Sequence, residues 1–73
     1  MTREILVDAR DLEAPEPLER ALAALGGMGE GERLRLLVPR EPLPLYALLE
    51  QMGYRHQARM LPDGACEVLI HRA

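Results

Sequence analysis

The sequence predicts an α+β domain, a two-layer sandwich in which two helices cover one face of a four-stranded mixed sheet in the order βαβαββ. Three observations support this fold class. Short apolar runs alternate with polar residues every second position, which indicates half-buried strands. Two longer segments have the i, i+3, i+4, i+7 apolar spacing of amphipathic helices. Each helical segment follows a strand and begins at a proline-rich stretch, so right-handed crossovers place both helices on the same face.

The first strand and helix occupy the first third of the chain. The strand spans residues 4–8. The helix then shows apolar residues at helical spacing: Leu18, Ala21, Leu22 and Leu25. Pro15 and Pro17 fit the first turn of this helix, where a missing backbone N–H costs little, and Gly26-Gly27 ends it.

The second strand and helix repeat this design. Residues 34–38 alternate as a half-buried strand and lead into the segment Pro39-Arg40-Glu41-Pro42-Leu43-Pro44. The helical stripe that follows consists of Leu45, Leu48, Leu49 and Met52. Gly53 is expected to cap this helix in the left-handed conformation.

The last two strands form a hairpin over residues 54–60 and 66–71. Pro62-Asp63-Gly64 suits a three-residue loop, a type I turn followed by a left-handed glycine. This loop length pairs Arg59 with Glu67 and keeps apolar residues on one face. A loop shorter by one residue would pair Arg59 with Val68 and mix the two faces.

Length and composition limit the function classes. With 73 residues the chain forms one domain, residues 1–73, and its single cysteine excludes an internal disulfide. A net charge of −3 argues against nucleic acid as the main partner. No apolar stretch approaches the ~18 residues of a membrane span, and a charge precedes the first apolar run, so we expect no membrane association and a cytoplasmic protein.

No catalytic or metal-binding constellation is visible. The chain has no serine and no lysine, which removes serine nucleophiles, Schiff-base lysines and phosphate-loop lysines. Acidic residues at the helix starts complement the helix dipoles and need no catalytic role. The predicted register places His56 and His71 on opposite faces of the sheet, so they cannot bind one metal ion. We therefore expect no catalytic residue, no metal and no cofactor.

Three motifs resemble the TusA/SirA-like family of small sulfur carriers: Val7-Asp8-Ala9-Arg10, Ala14-Pro15-Glu16-Pro17 and Gly31-Glu32-Arg33-Leu34. The resemblance covers nearly the whole chain and implies the strand order 1-2-4-3. In that family a Cys-Pro-x-Pro motif carries a persulfide on its cysteine, and here Ala14 takes the place of that cysteine. The chain looks closer still to uncharacterised, cysteine-less relatives of the family.

Those relatives carry a Pro-Pro-Glu-Pro motif and a later Arg-Glu/Asp-Pro stretch, which Arg40-Glu41-Pro42 matches here. They occur alone or beside hemerythrin-like domains, and their function is unassigned. The resemblance thus implies a fold and an ancestry without an activity.

The residues before the two helices form the candidate partner-binding surface, which we call the helix-start edge: Arg10, Ala14, Pro15, Glu16, Pro17 and Arg40. Parallel strands end at one edge of a sheet, so two helix N-termini and two arginines are expected to meet there. Such a site would suit an anion or an acidic partner tail. Alternatively, nearby acidic residues pair with these arginines: Asp8, Asp11, Glu16 and Glu41.

The sheet face without helices, the open sheet face, is the secondary candidate surface. It carries Arg33, Arg35, Arg55 and Arg59 around Leu37 and Leu69. An ordinary solvated face is the first interpretation of this surface, and a protein interface is the second. Nucleic-acid binding is another, but aromatic residues for base stacking are missing from this face and two glutamates dilute its charge.

These observations favour a non-catalytic protein-interaction or accessory module related to the sulfur carriers, with an unknown protein partner in sulfur or redox metabolism. The alternative is a sulfur carrier that uses Cys66. The register places Cys66 on the inward face of the last strand beside Met60, where a cysteine without a cationic neighbour normally serves packing.

Overall fold

The computed structural model describes residues 3–73 and confirms the predicted βαβαββ architecture. The elements are β1 (Arg3–Asp8), α1 (Glu16–Gly26), β2 (Glu32–Val38), α2 (Leu43–Met52), β3 (Tyr54–Met60) and β4 (Cys66–Arg72). The four strands form one sheet in the order β1-β2-β4-β3, the order that the family resemblance implies. β1 is parallel to β2, and the β2–β4 and β3–β4 pairs are antiparallel.

Prolines begin both helices and glycines end them. α1 follows Pro15 and has Pro17 in its first turn, and α2 follows Pro42 and also has a proline in its first turn. Gly53 ends α2 at φ +83°, and its N–H donates to the Glu50 carbonyl at 3.2 Å. Glycine adopts this left-handed conformation without a steric cost, which explains the sharp turn into β3.

The β3–β4 hairpin has the predicted register. Arg59 lies opposite Glu67, and the Leu61 N–H donates to the Ala65 carbonyl at 2.8 Å, which closes the three-residue loop. Gly64 has φ +88°, as a left-handed glycine at the end of a type I turn requires. Asp63 stabilises the turn, because its Oδ1 accepts a hydrogen bond of 2.9 Å from the Ala65 N–H.

The core lies between the two helices and the inner face of the sheet. Ala9 and Met28 contribute from the connections after β1 and α1, and the other buried side chains come from α1, α2, β2 and β4: Ala21, Leu25, Leu34, Leu36, Val38, Leu45, Leu49, Cys66, Val68 and Ile70. Leu22 and Leu48 are half-buried and Met52 is 48% exposed, so the helical stripes are narrower than the spacing predicts. None of the helices in residues 3–73 is long and apolar enough to cross a membrane.

The outer strand β3 departs from the expected inward face. Ala58 is exposed and Met60 is 60% exposed, although both share a face with the half-buried Tyr54 and His56. Tyr46 of α2 stacks on His56 in the first half of β3, whereas Ala58 and Met60 in the second half are exposed. The predicted pairing of Met60 with Cys66 is confirmed, although Met60 itself is not buried.

Candidate interaction site

A groove with a volume of about 820 Å³ lies at the helix-start edge, and we call it the edge groove. Its lining comes from two stretches, the β1–α1 connection with the start of α1, and the end of β2 with the start of α2. Five of the six predicted partner-binding residues line it: Arg10, Ala14, Pro15, Pro17 and Arg40. Glu16, the first residue of α1, is exposed outside this lining.

Proline shapes both walls of the edge groove. Of the six prolines in the chain, five line the groove: Pro15, Pro17, Pro39, Pro42 and Pro44. The proline ring fixes φ near one value, so these walls are held in shape by covalent geometry as well as by packing. The Ala14–Pro15 peptide bond is cis. Three buried core residues form the floor: Leu36, Val38 and Leu45.

Ala14 is exposed and faces the groove at the position of the sulfur-carrier cysteine. Its methyl group can neither bind sulfur nor transfer a proton. Whatever this site does, it acts through shape and charge at this position.

Arg10 is held by acidic neighbours. Its Nη2 and Nε contact the two carboxylate oxygens of Asp8 at 2.8 and 2.9 Å, and its Nη1 lies 3.5 Å from Asp63 Oδ2 in the β3–β4 loop. The hydrogen bonds from Arg10 lower the pKa of Asp8, and the bonds to Asp8 raise the pKa of Arg10. The local pairing considered for Arg10 is thus present with Asp8, and Arg10 is no free cation at this edge.

Arg40 is exposed and forms no ion pair with any carboxylate in residues 3–73. Asp11, Glu13 and Glu41 also line the groove, and Glu41 Oε2 accepts a hydrogen bond of 3.2 Å from the Tyr46 hydroxyl. Of the two interpretations of this edge, local pairing is present at Arg10 and is not seen at Arg40 within the described residues. The groove and its rim hold more carboxylates than guanidinium groups.

The Cys66 thiol lies in the core. Cys66 is 1% exposed, pairs with Val38 and Met60 on the neighbouring strands, and its Sγ approaches only the Glu67 carbonyl, at 4.0 Å, among its described hydrogen-bond partners. Burial raises the pKa of the thiol, and this effect outweighs the opposing influence of the nearby Tyr46 hydroxyl. A buried thiol with a raised pKa is a poor nucleophile.

Tyr46 is partly buried and packs against the core beside Cys66. Its ring stacks on the His56 ring with centroids 4.2 Å apart and an interplanar angle of 9°. Burial raises the pKa of the Tyr46 hydroxyl, and the nearby Cys66 and Glu41 add to this shift. His56 and His71 lie on opposite faces of the sheet, as the register predicted. In residues 3–73 no group of three or more potential metal ligands comes together.

The open sheet face carries a chain of ion pairs across all four strands. Glu67 is only 5% exposed, and its two oxygens lie 2.7 Å from Arg59 Nε and 3.4 Å from Arg35 Nε. Glu4 lies 3.1 Å from Arg33 Nε and 3.6 Å from Arg35 Nε. Of the four arginines predicted to mark this surface, three are thus paired within the described chain. Arg55 lies across from His71 without an ion pair there.

The sequence interpretation missed several groove residues: Leu12, Leu18, Pro39, Pro42 and Pro44. It also missed Asp63 as a partner of Arg10. The density of prolines around both helix starts was a signal for a rigid groove. Asp63 gave no such signal, because only the three-dimensional approach of the hairpin loop brings it to Arg10.

Known proteins resemble this chain in fold and sequence. The crystal structure of a SirA-like protein from Desulfitobacterium hafniense superimposes with a TM-score of 0.79 at 31% sequence identity, over 89% of this chain and 92% of that one. No curated protein matches the chain. The chain has a cysteine at position 66, so the absence of cysteine applies to the motif position alone. The family model described as Uncharacterized conserved protein (DUF2249) matches residues 6–72, and the chain therefore belongs to this SirA-like family of uncharacterised proteins.

Proposed function

We propose that this domain is a non-catalytic protein-interaction module, an accessory relative of the sulfur carriers, which binds a segment of a partner protein in the edge groove. The observation that carries the proposal is that the groove and the position of the carrier cysteine coincide. The groove lies at the strand-to-helix position where the related carriers have their persulfide cysteine, and Ala14 lines it. The domain thus keeps a binding surface at the position of the lost chemistry.

The size and rigidity of the groove support this function. A volume of about 820 Å³ lies within the ~300–1,000 Å³ of typical ligand sites. Because proline fixes the backbone on both walls, little conformational entropy is lost when a partner binds. The buried floor of Leu36, Val38 and Leu45 offers an apolar surface for an anchoring side chain. We further propose that the partner acts in sulfur or redox metabolism, as the resemblance to the sulfur carriers implies.

Two other functions receive less support. A sulfur carrier that uses Cys66 would need an accessible thiolate, whereas this thiol is 1% exposed and burial raises its pKa. Nucleic-acid binding on the open sheet face would need free cations, whereas Arg33, Arg35 and Arg59 are paired with glutamates. A cavity beside Arg33 and His71 has a volume of about 310 Å³, which is smaller than the 820 Å³ of the edge groove.

The test is quantitative affinity capture from the cells that make the protein, with matched baits. Ala14→Trp fills the groove, and Ala23→Trp adds the same ring at an exposed position of α1 outside the groove. Leu6→Glu with Arg55→Glu alters the open sheet face at two exposed positions and spares Arg35, which contacts Glu67. Chemical denaturation of each bait verifies that it is folded.

We expect Ala14→Trp to lose a specific partner that wild type, Ala23→Trp and the sheet-face variant all retain. Loss with the sheet-face variant alone would assign the interface to the open sheet face. Equal recovery by all the folded baits would contradict a role for either surface.

A further inference from the structure

We infer that the segment received by the edge groove is basic, with an arginine or lysine flanked by apolar side chains. This inference rests on the proposed function, since it specifies the partner of the same groove. Two independent features of the groove carry it: the balance of charge on its walls and rim, and the state of the backbone N–H groups at the two helix starts.

The charge balance of the groove is acidic. Asp11, Glu13 and Glu41 line the groove, while Asp8 and Asp63 flank it through their contacts with Arg10. Arg10 and Asp8 neutralise one another, which leaves four carboxylates against the guanidinium group of Arg40. A cationic segment would therefore be attracted to this edge, and an anionic one would be repelled.

The acidic groups come from both walls of the groove. Asp11 and Glu13 precede α1, and Glu41 precedes α2. Glu41 accepts the Tyr46 hydroxyl through Oε2, which leaves Oε1 for another donor. Arginine suits such a site because its planar group presents five N–H donors and its alkyl stem packs on apolar surface.

The helix starts offer little to an anion. An anion at a helix N-terminus is bound by free backbone N–H groups, and proline has none. Prolines take positions at or just inside both starts: Pro15 and Pro17 at α1, and Pro42 and Pro44 at α2. The neighbouring N–H groups of Glu16, Leu43 and Leu45 already donate to the carbonyls of Glu13, Glu41 and Pro42.

This second feature weakens the sequence-based reason for an acidic partner. Two helix N-termini do meet at the edge, but proline removes one N–H from the first turn of each helix, and the preceding turns use the N–H groups of Glu16, Leu43 and Leu45. The accessible surface is an apolar floor with Arg40 and a larger number of carboxylates around it. The chemistry that matches this surface is an apolar segment with a positive charge.

A random twelve-residue peptide library displayed on phage, selected on the folded wild-type domain, provides the probes. The enriched peptides are synthesised with a fluorophore and titrated by fluorescence anisotropy. The first variant, Asp11→Asn with Glu13→Gln, removes two groove charges. Its matched control, Glu30→Gln with Glu50→Gln, removes two exposed charges outside the groove, and Ala14→Trp fills the groove.

We expect enriched peptides with arginine or lysine beside leucine-like residues, binding that is lost with Ala14→Trp, and binding that weakens about tenfold with Asp11→Asn/Glu13→Gln. The control pair should change affinity less than about twofold, and added salt should weaken wild-type binding.

The alternative outcomes separate the two proposals. Acidic or uncharged peptides that Ala14→Trp abolishes would overturn the basic segment and leave the groove as the binding site. Basic peptides that bind equally well to Asp11→Asn/Glu13→Gln but not to Ala14→Trp would also overturn the charge argument alone. Peptides that bind Ala14→Trp as tightly as wild type, or a selection without any enrichment, would overturn both the groove as the binding site and the basic segment as its ligand.

Discussion

The edge groove and the open sheet face both carry arginines that stand out in the sequence, and they use them differently. On the sheet face, Glu4 and Glu67 bind three arginines in a chain across the strands, with Glu67 almost fully buried. At the groove, Arg10 is the one arginine that forms an ion pair among the described residues. Arg40 and the carboxylates that line the groove remain available to a ligand. Charge on the sheet face therefore supports the fold, while charge at the groove is free for binding.

The difference follows from backbone geometry. In a sheet, the register fixes which side chains are neighbours, so opposite charges on adjacent strands are held within reach of one another. Arg35 and Glu67 lie on neighbouring strands one row apart, and Arg59 lies directly across from Glu67. The segments before the helices have no such ladder. Arg10 and Glu41 form local contacts there, while Arg40 is exposed without an ion pair in the described residues.

The largest contrast between the two regions is expected in the residues beneath them. Leu45 is 1% exposed and forms part of the groove floor, so Leu45→Ala should lower the free energy of unfolding by about 2–5 kcal/mol. Leu6 is 59% exposed on the open sheet face, and Leu6→Ala should change the free energy of unfolding by less than about 0.5 kcal/mol. Urea denaturation measures both. Similar losses would mean that the groove floor is not part of the core.

A second contrast concerns two thiols. In Ala14→Cys, the introduced thiol would be exposed at a helix start, whereas Cys66 reacts only when the core opens. We expect the introduced thiol to react with iodoacetamide at least ~100-fold faster, because protection by local opening reaches a few kcal/mol. Mass spectrometry after peptide cleavage distinguishes the two sites.

The pH dependence of labelling sharpens this test. Raising the pH through the ordinary cysteine pKa of about 8.5 should accelerate labelling of the exposed thiol. Labelling of Cys66 in the folded protein should stay slow, because burial raises the pKa of Cys66. Denaturant should remove the difference. Rapid labelling of Cys66 in the folded wild type would revive the sulfur-carrier alternative.

The ion-pair chain should contribute to stability where the groove charges do not. Glu67→Gln removes the charge that Arg35 and Arg59 share at a nearly buried position, and we expect a loss of about 1–3 kcal/mol. Glu13→Gln at the groove should stay within about 0.5 kcal/mol. Thermal and urea denaturation of the pair compare them directly. An equal effect of the two substitutions would erase the distinction between the surfaces.

The smallest effect is expected at the hairpin loop that joins the two regions. Gly64 has φ +88° beside Asp63, the partner of Arg10, and Gly64→Ala should cost about 1 kcal/mol because alanine disfavours this conformation. Gly26 lies at the end of α1, where an added Cβ would project into open space, so Gly26→Ala should not destabilise the domain. A neutral Gly64→Ala in urea denaturation would contradict the turn assignment.

The fold could be predicted from sequence because period, loop length and register reinforce one another. The Pro-Asp-Gly loop alone fixed the pairing of Arg59 with Glu67, and the confirmed β3–β4 register follows from it. The strand order came from the family resemblance, since alternation within a strand does not identify its neighbours.

The position of the candidate site could be predicted, whereas the contacts of its residues were harder to predict. Five of the six residues assigned to the edge line the groove. The pairing of Arg10 with Asp8 was one of the two alternatives drawn from the sequence. The contact of Arg10 with Asp63 could not be predicted, because Asp63 lies in a loop more than fifty positions away. The exposure of Met60 was also hidden, since it depends on how far α2 extends over β3.

The most direct test of the central claim, that the edge groove is the binding surface, is an NMR titration. The ¹⁵N-labelled domain is titrated with the highest-affinity peptide selected on it, and shifts are mapped on the backbone amides. We predict that the largest changes fall in residues 10–18 and 36–45 and that Arg33, Arg55 and Leu69 are unchanged. Shifts concentrated on β1–β4 at the open sheet face, with the groove segments unmoved, would contradict the account.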